Sequence, residues 1–324
     1  KKETCPDGSK DENVFDIMQG VSINLFIKTG NKKADSLGEI YHFDLYGKRD
    51  EKYKFLINNS RSSVKYGKVE INGPMNFFVK RDFELEKIYK EGFLIVDLFK
   101  INSVGVVTAR DDFTICETKE KVKNNIQTFL SLDNEIAREK FKLGKDVRDW
   151  KIDYAKKDLM DSGPDFNNII QISYRPFDNK YTYYTGKSRG FHCMPRGEIM
   201  QHFIKGENIG LISNREQKQG DILSIFISKF IIDGHIVDNI SYLFPLYKYN
   251  ELNSIKIERL NNLNLEIVNQ ISSKLNLSFT NEKEDTPDTY SPIDILDYIY
   301  GVLHSPNYRE KYKEFLKIDF PRVP

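Results

Sequence analysis

Residues 117 to 161 contain a single glycine, Gly144, and no proline. That run constrains the fold more than any other feature, because Gly and Pro are the usual punctuation between short elements. Val122, Ile126, Phe129 and Leu130 recur within it at helical spacing, as do Trp150, Tyr154 and Leu159. Two or three helices are expected, closed by Ser162-Gly163-Pro164, with Trp150, the one Trp, in the core.

Both flanks read differently. Before the run come short β-like stretches at Lys68 to Ile71, Asn76 to Val79 and Gly105 to Thr108, with one helix near Glu84 to Lys90. After it, strands are expected at Ile169 to Tyr174, Tyr181 to Tyr184, Ile209 to Ser213, Ile225 to Ile227 and Phe244 to Tyr247, with a helix from Arg196 to Ile204. The C-terminal part is helical. Leu265 to Leu275 is one helix, and Ser291-Pro292 and Ser305-Pro306 each pair a Ser N-cap with Pro at the first helical position. Thr280 to Tyr290 is a polar linker. At the other end, Val14 to Ile27 partly alternates apolar and polar residues and reads as one long strand or two short ones broken at Gly20, with a bulge or a close backbone approach there. With a turn at Thr29 to Lys33 and renewed alternation from Glu39 to Leu45, it reads as a β-hairpin, followed by a short helix over 51 to 58.

The fold class expected is therefore mixed α/β. A length of 324 residues suits one large or two ordinary domains, and 39% hydrophobic with 30% charged residues excludes wholesale disorder. No apolar run approaches a bilayer span, so no membrane partner is expected. Cys5, Cys116 and Cys193 are too few and scattered for a disulfide framework, which points to a reducing compartment. The sequence opens Lys1-Lys2-Glu3-Thr4, without the apolar stretch of a signal peptide, and we read the chain as a piece of a longer protein.

Much chemistry is excluded within this sequence. No two glycines are separated by one residue, no Gly-Lys has a Gly five residues before it, and no two prolines are adjacent. That removes a dinucleotide loop, a Walker A loop and the (Asn/Asp)-Pro-Pro-(Tyr/Phe) loop of amino-methyltransferases. No Gly-x-Ser-x-Gly elbow and no HExxH pair occur. His192-Cys193 near His202 lacks a CxxC partner, and neighbours on a strand point to opposite faces, so no metal is expected there. Asp294 and Asp297 share a helix face and read as surface charge near a helix N-terminus.

The stretch from Ile172 to Lys218 is the informative one. Lys+Arg 49 against Asp+Glu 48 gives a net charge of only +1, so any case for nucleic acid has to be local. Between 175 and 218 there are eight Lys/Arg against four acids, and seven aromatics lie between 174 and 203. Cations neutralise phosphates, while Arg can read base edges. The candidates for DNA contact are Lys187, Arg189, Arg196, Arg215 and Lys218. Lys187 and Arg189 sit in Gly-Lys-Ser-Arg-Gly, read as a hairpin tip, where DNA contact and harmless solvated charge are both open. Arg215 is equally divided between phosphate or base contact and plain loop. Arg175, before Pro176, reads as part of a turn held by Asp178, and Arg110, flanked by acids, as a structural salt bridge.

Several runs resemble type ISP restriction-modification enzymes, single-chain bacterial proteins that join nuclease, translocase, N6-adenine methyltransferase and target-recognition domains. Asp11-Glu12-Asn13-Val14-Phe15-Asp16-Ile17-Met18-Gln19-Gly20-Val21 is similar to the end of their methyltransferase domain. Tyr174-Arg175-Pro176-Phe177-Asp178 with Tyr183-Tyr184, Met194-Pro195-Arg196, Phe244-Pro245-Leu246-Tyr247, and Pro292 to Tyr300 through Phe320-Pro321-Arg322 resemble their C-terminal specificity region. The resemblance implies a remnant of a Rossmann-like methyltransferase sheet over 1–58, a target-recognition domain of short strands over 59–280 and a helical C-terminal segment over 281–324. It implies double-stranded DNA and the other domains of the parent polypeptide as partners, in the bacterial cytoplasm. It also implies S-adenosylmethionine for an absent methyltransferase part, with no cofactor and no catalytic residue in this stretch. The competing expectation is a protein docking module built from the helices over 117–161 and 265–316.

Overall fold

The computed structural model describes residues 4–28, 30, 36–71, 78, 80–217, 224–237, 239–253 and 256–324. The chain divides into two units, residues 1–87 and 88–324.

In the first unit, strand Ile40–His42 pairs antiparallel with Gly67–Val69, Tyr41 opposite Lys68. The hairpin expected from 14 to 45 is not formed: residues 14–27 adopt no strand, and no Rossmann-like sheet is present among the described residues. Most of the expected turn at 29–33 lies outside them, as does most of the stretch 76–79. What holds residues 11–16 instead is polar. Helix Arg49–Asn58 presents Lys52, whose Nζ meets Asp11 at 2.7 Å and the Glu12 carbonyl at 2.8 Å. Arg49 donates to the carbonyls of Asn13 and Phe15 and pairs with Asp16 at 2.8 Å. Alternation makes a strand only where a sheet edge waits for it, because a strand's backbone groups and one of its faces both need partners.

The second unit holds two four-stranded sheets. One runs Ile231–Ile232, Ile169–Arg175, Asp178–Tyr183, Ile115–Cys116, and the other Ser103–Val104, Ser241–Pro245, Gly210–Asn214, Ile225–Ser228. Period-2 side-chain alternation gives the first sheet two apolar faces. Ile169 and Tyr183 join a core with Phe113, Val122, Ile126, Phe129, Trp150, Leu159 and Phe191. Ile172 and Tyr184 turn the other way, toward Met200, Ile212, Ile231 and Leu243 of the second sheet.

The glycine-poor run supplies three helices, Lys119–Ser131, Asn134–Lys140 and Ile152–Asp161, packed on the first of these cores. Their apolar faces are thus spent inside the chain, which removes the 117–161 half of the docking-module reading. Helix Leu265–Leu275 spans the expected residues. Helix Pro292–His304 starts at a capping box in which Asp294 accepts from the Ser291 N–H and hydroxyl. Asp294 is therefore a cap rather than loose surface charge. Strand Arg322–Val323 closes the unit by pairing antiparallel with Phe93–Leu94.

Candidate nucleic-acid interface

Strand Asp178–Tyr183 runs into a loop that carries Lys187, Arg189 and Arg196. This loop is not a hairpin tip. The next element is helix Gly197–Met200 rather than a partner strand, and the neighbouring hairpin turns instead at Pro176-Phe177, between paired Arg175 and Asp178. The loop is nevertheless fixed. Asp158, buried on helix Ile152–Asp161, accepts through Oδ2 from the Thr185 hydroxyl at 2.9 Å and the Phe191 N–H at 2.8 Å. A Cβ on Gly190 would lie 2.1 Å from that same oxygen, so only glycine fits there. Trp150 Nε1 donates to the Phe191 carbonyl at 3.1 Å, Tyr184 Oη to the Pro195 carbonyl at 2.8 Å, and Met194 exchanges two backbone bonds with Val107.

His192 belongs to this framework and not to a reaction. Its Nε2 lies 2.8 Å from Thr182 Oγ1, which already gives its proton to the Thr114 carbonyl. The ring must therefore donate, as a neutral Nε2–H tautomer. Burial pushes its pKa down to about 3.

The candidate cations are placed unequally. Lys187 Nζ meets Asp161 at 2.9 Å on the exposed side of the loop. Arg189 meets Asp149 Oδ1 through Nε at 3.2 Å and Nη2 at 3.1 Å. Arg196 has no carboxylate partner among the described residues: its Nη2 faces Met194 Sδ at 3.4 Å and its buried Nε is unpartnered. Arg215, at the end of strand Gly210–Asn214, pairs with Asp319 at 2.9 Å and does not join the others. Lys218 lies outside the described residues.

Three further residues complete the cluster. Arg148 donates to Asp149 Oδ2 through Nε at 2.9 Å and Nη2 at 2.7 Å, so Asp149 holds one arginine on each oxygen. The Arg148 hydrogen bond, helped by Arg189, keeps the Asp149 carboxyl below the usual range. Arg110 is not the salt bridge expected of it. Its guanidinium lies 4.5 Å from the centre of the Trp150 ring and donates to the Ala109 and Lys145 carbonyls, while its buried Nε has no partner. Burial raises the Cys193 thiol, which also feels the charges of Asp149, Arg196, Arg110 and Arg148. Three guanidiniums and one carboxylate thus act on that point, and the backbone N–H of Arg189 donates to the Cys193 carbonyl. An unmade buried donor costs about 1–3 kcal/mol, and two such donors lie in this one cluster.

The hairpin tip carries the other unusual feature. Phe177 sits at φ +62° and is 95% exposed. Pro176 followed by a residue at positive φ is the type II arrangement, which favours Gly or Asn at Phe177's place. Arg175 does not hold Asp178 as expected. It pairs with buried Asp233 at 3.0 Å and stacks 3.8 Å from the Tyr174 ring centre, while Asp178 faces Lys180.

A family model, the Type ISP C-terminal specificity domain, matches residues 97–324. The chain belongs to this family. Its fold is shared with three solved structures. The cryoEM structure of a DrdV–DNA complex has a TM-score of 0.54 at 21% identity over 88% of this chain. A nuclease-deletion mutant of the Type ISP restriction-modification enzyme LlaGI, in complex with a DNA substrate mimic, gives 0.52 at 19% over 90%. The ATP-dependent Type ISP restriction-modification enzyme LlaBIII bound to DNA gives 0.55 at 20% over 90%. The match spans 28%, 26% and 20% of those three chains respectively. No curated protein matches by sequence.

Proposed function

We propose that the Type ISP specificity domain over 97–324 reads double-stranded DNA sequence-specifically, for an N6-adenine methyltransferase and nuclease carried by the rest of a larger polypeptide. Its family carries this reading, and the fixed loop bearing Arg189 and Arg196 beside Arg110 and Arg148 supplies the chemistry. Phosphate contacts set register, and base contacts in the major groove set specificity. Lys187 and Arg215 would exchange their exposed carboxylates for phosphates at little cost, since surface ion pairs are worth about 0–1 kcal/mol. Lys218 extends the same set. Methylation of an adenine needs the base flipped into a pocket of the methyltransferase part, which would also hold S-adenosylmethionine.

The test is selection from a randomised duplex pool at low and physiological salt, with sequencing of the bound fraction. Enrichment of one asymmetric adenine-containing site supports the reading. Salt-insensitive binding, or none at low salt, contradicts it.

A further inference from the structure

We propose that Asp149 is a positioning residue that sets Arg148 and Arg189 as a paired guanidinium site for one phosphodiester of the duplex backbone. This rests on the DNA reading above and names the part of the surface that does the gripping. Asp149 lies underneath, its side chain 17% exposed, whereas those of Arg148 and Arg189 are 85% and 60% exposed. Each arginine spends its Nε and Nη2 on the carboxylate. Among the described residues no hydrogen bond holds the Nη1 group of either, so the outer end of each fork faces outward with donors to give. A guanidinium can engage two oxyanions at once, because its five N–H donors lie in one plane.

The spacing of the pair is set by the fold rather than by the arginines. Arg148 is the neighbour of Asp149 in sequence, while Arg189 comes from the loop clamped by Asp158 and Gly190. Holding two long side chains before the ligand arrives removes rotamer entropy that binding would otherwise lose. Arg110 and Arg196, neither with a carboxylate partner among the described residues, act with Arg148 and Asp149 on neighbouring Cys193, so cations outnumber carboxylates around that residue.

The opposing account treats Asp149 as a neutralising carboxylate. The two accounts differ in sign. If Asp149 merely neutralises, its removal brings the surface closer to phosphate and tightens binding. If it positions, its removal loosens binding although a negative charge has gone.

The experiment is fluorescence anisotropy of the full chain on a random-sequence duplex across a salt series. Asp149→Asn is expected to weaken binding about three- to tenfold and to flatten the log–log salt dependence by roughly one. Arg148→Lys and Arg189→Lys keep their charge, cannot make the fork, and are expected to weaken binding by about the same factor. In an Asp149→Asn background they should add little, because the three act as a unit. Circular dichroism checks the fold of each variant. Should Asp149→Asn unfold, the two lysine variants decide. Unchanged or tighter binding by folded Asp149→Asn, or by both lysine variants, overturns the positioning role while leaving DNA binding intact. Absence of salt-sensitive binding by the unaltered chain overturns the DNA reading and this proposal with it.

Discussion

Residues 1–87 and 88–324 draw on similar side chains and use them in opposite ways. Among the described residues the first unit buries one hydrophobic side chain, Val69, and one charged one, Lys52. It leaves Phe26, Ile23 and Met18 at 85%, 74% and 69% exposure. The second unit closes two cores around Trp150, Phe129, Tyr183 and Leu243. A hydrophobic pattern is an offer of a face, and it becomes structure only when another element accepts it. In the second unit the three helices over 119–161 accept the face of Ile169 and Tyr183. In the first, residues 14–27 adopt no strand despite their alternation, and polar contacts to Arg49 and Lys52 hold residues 11–16.

The largest effect that sharpens this contrast is expected from Trp150→Ala. It empties the centre of a core, removes the bond to the Phe191 carbonyl and takes away the ring under Arg110. A loss of about 3–5 kcal/mol should appear as a lowered thermal midpoint, with hydrogen exchange rising across 88–324 and unchanged across 1–87. Equal loss in both units would break the comparison.

Lys52→Ala is the mirror experiment. It leaves Asp11 with the Gly47 N–H and the Cys5 thiol and frees the Glu12 carbonyl, in a unit with little apolar burial to fall back on. Breaking a buried pair costs up to about 3–5 kcal/mol, less here because both partners retain some solvent. Exchange should rise over 11–16 and 49–58 while 88–324 keeps its protection. A change confined to the second unit would show that the division is misplaced.

A third prediction concerns pH and touches only the second unit. His192 is buried neutral, so its folded pKa lies below its unfolded value near 6.5. Between about 6.5 and 3 the unfolded state binds the extra proton, so stability is complete above that window and falls as pH drops through it. The slope approaches about 1.4 kcal/mol per pH unit from this one group. Denaturant titrations at pH 7, 6 and 5 should show the decline, and His192→Gln should flatten it. An unaltered slope in that variant would remove His192 as the cause.

The smallest effect is at the hairpin tip. Phe177→Gly relieves a left-handed residue and should leave stability unchanged or raised by no more than about 1 kcal/mol. A clear loss in a melting experiment would mean that the edge contact with Phe226 holds the turn.

What was legible in the sequence followed from local physics. Helices 265–275 and 292–304 could be read because caps, prolines and apolar spacing act within a few residues. The loop of Lys187 and Arg189 was found by its glycines and charges, although the same glycines disguised it as a hairpin tip. That role belongs to Pro176-Phe177, where the sequence does show a turn from Arg175 to Asp178, but Phe at the positive-φ place does not mark it as a hairpin tip. Of the cation cluster, Arg189 and Arg196 were found. Arg110, Arg148 and Asp149 were not, because Asp149 and Arg189 are 40 residues apart and meet only through packing around Trp150. Arg110 next to two acids looks like a salt bridge in sequence, and only the fold turns it onto an aromatic face.

The most direct test of the central claim is arginine-selective footprinting with phenylglyoxal, read by mass spectrometry with and without duplex DNA. The account predicts that duplex protects Arg148, Arg189 and Arg196 while exposed Arg61 in the first unit keeps its reactivity, and that added salt abolishes the protection. Equal reactivity of Arg148 and Arg189 with and without bound duplex would contradict it.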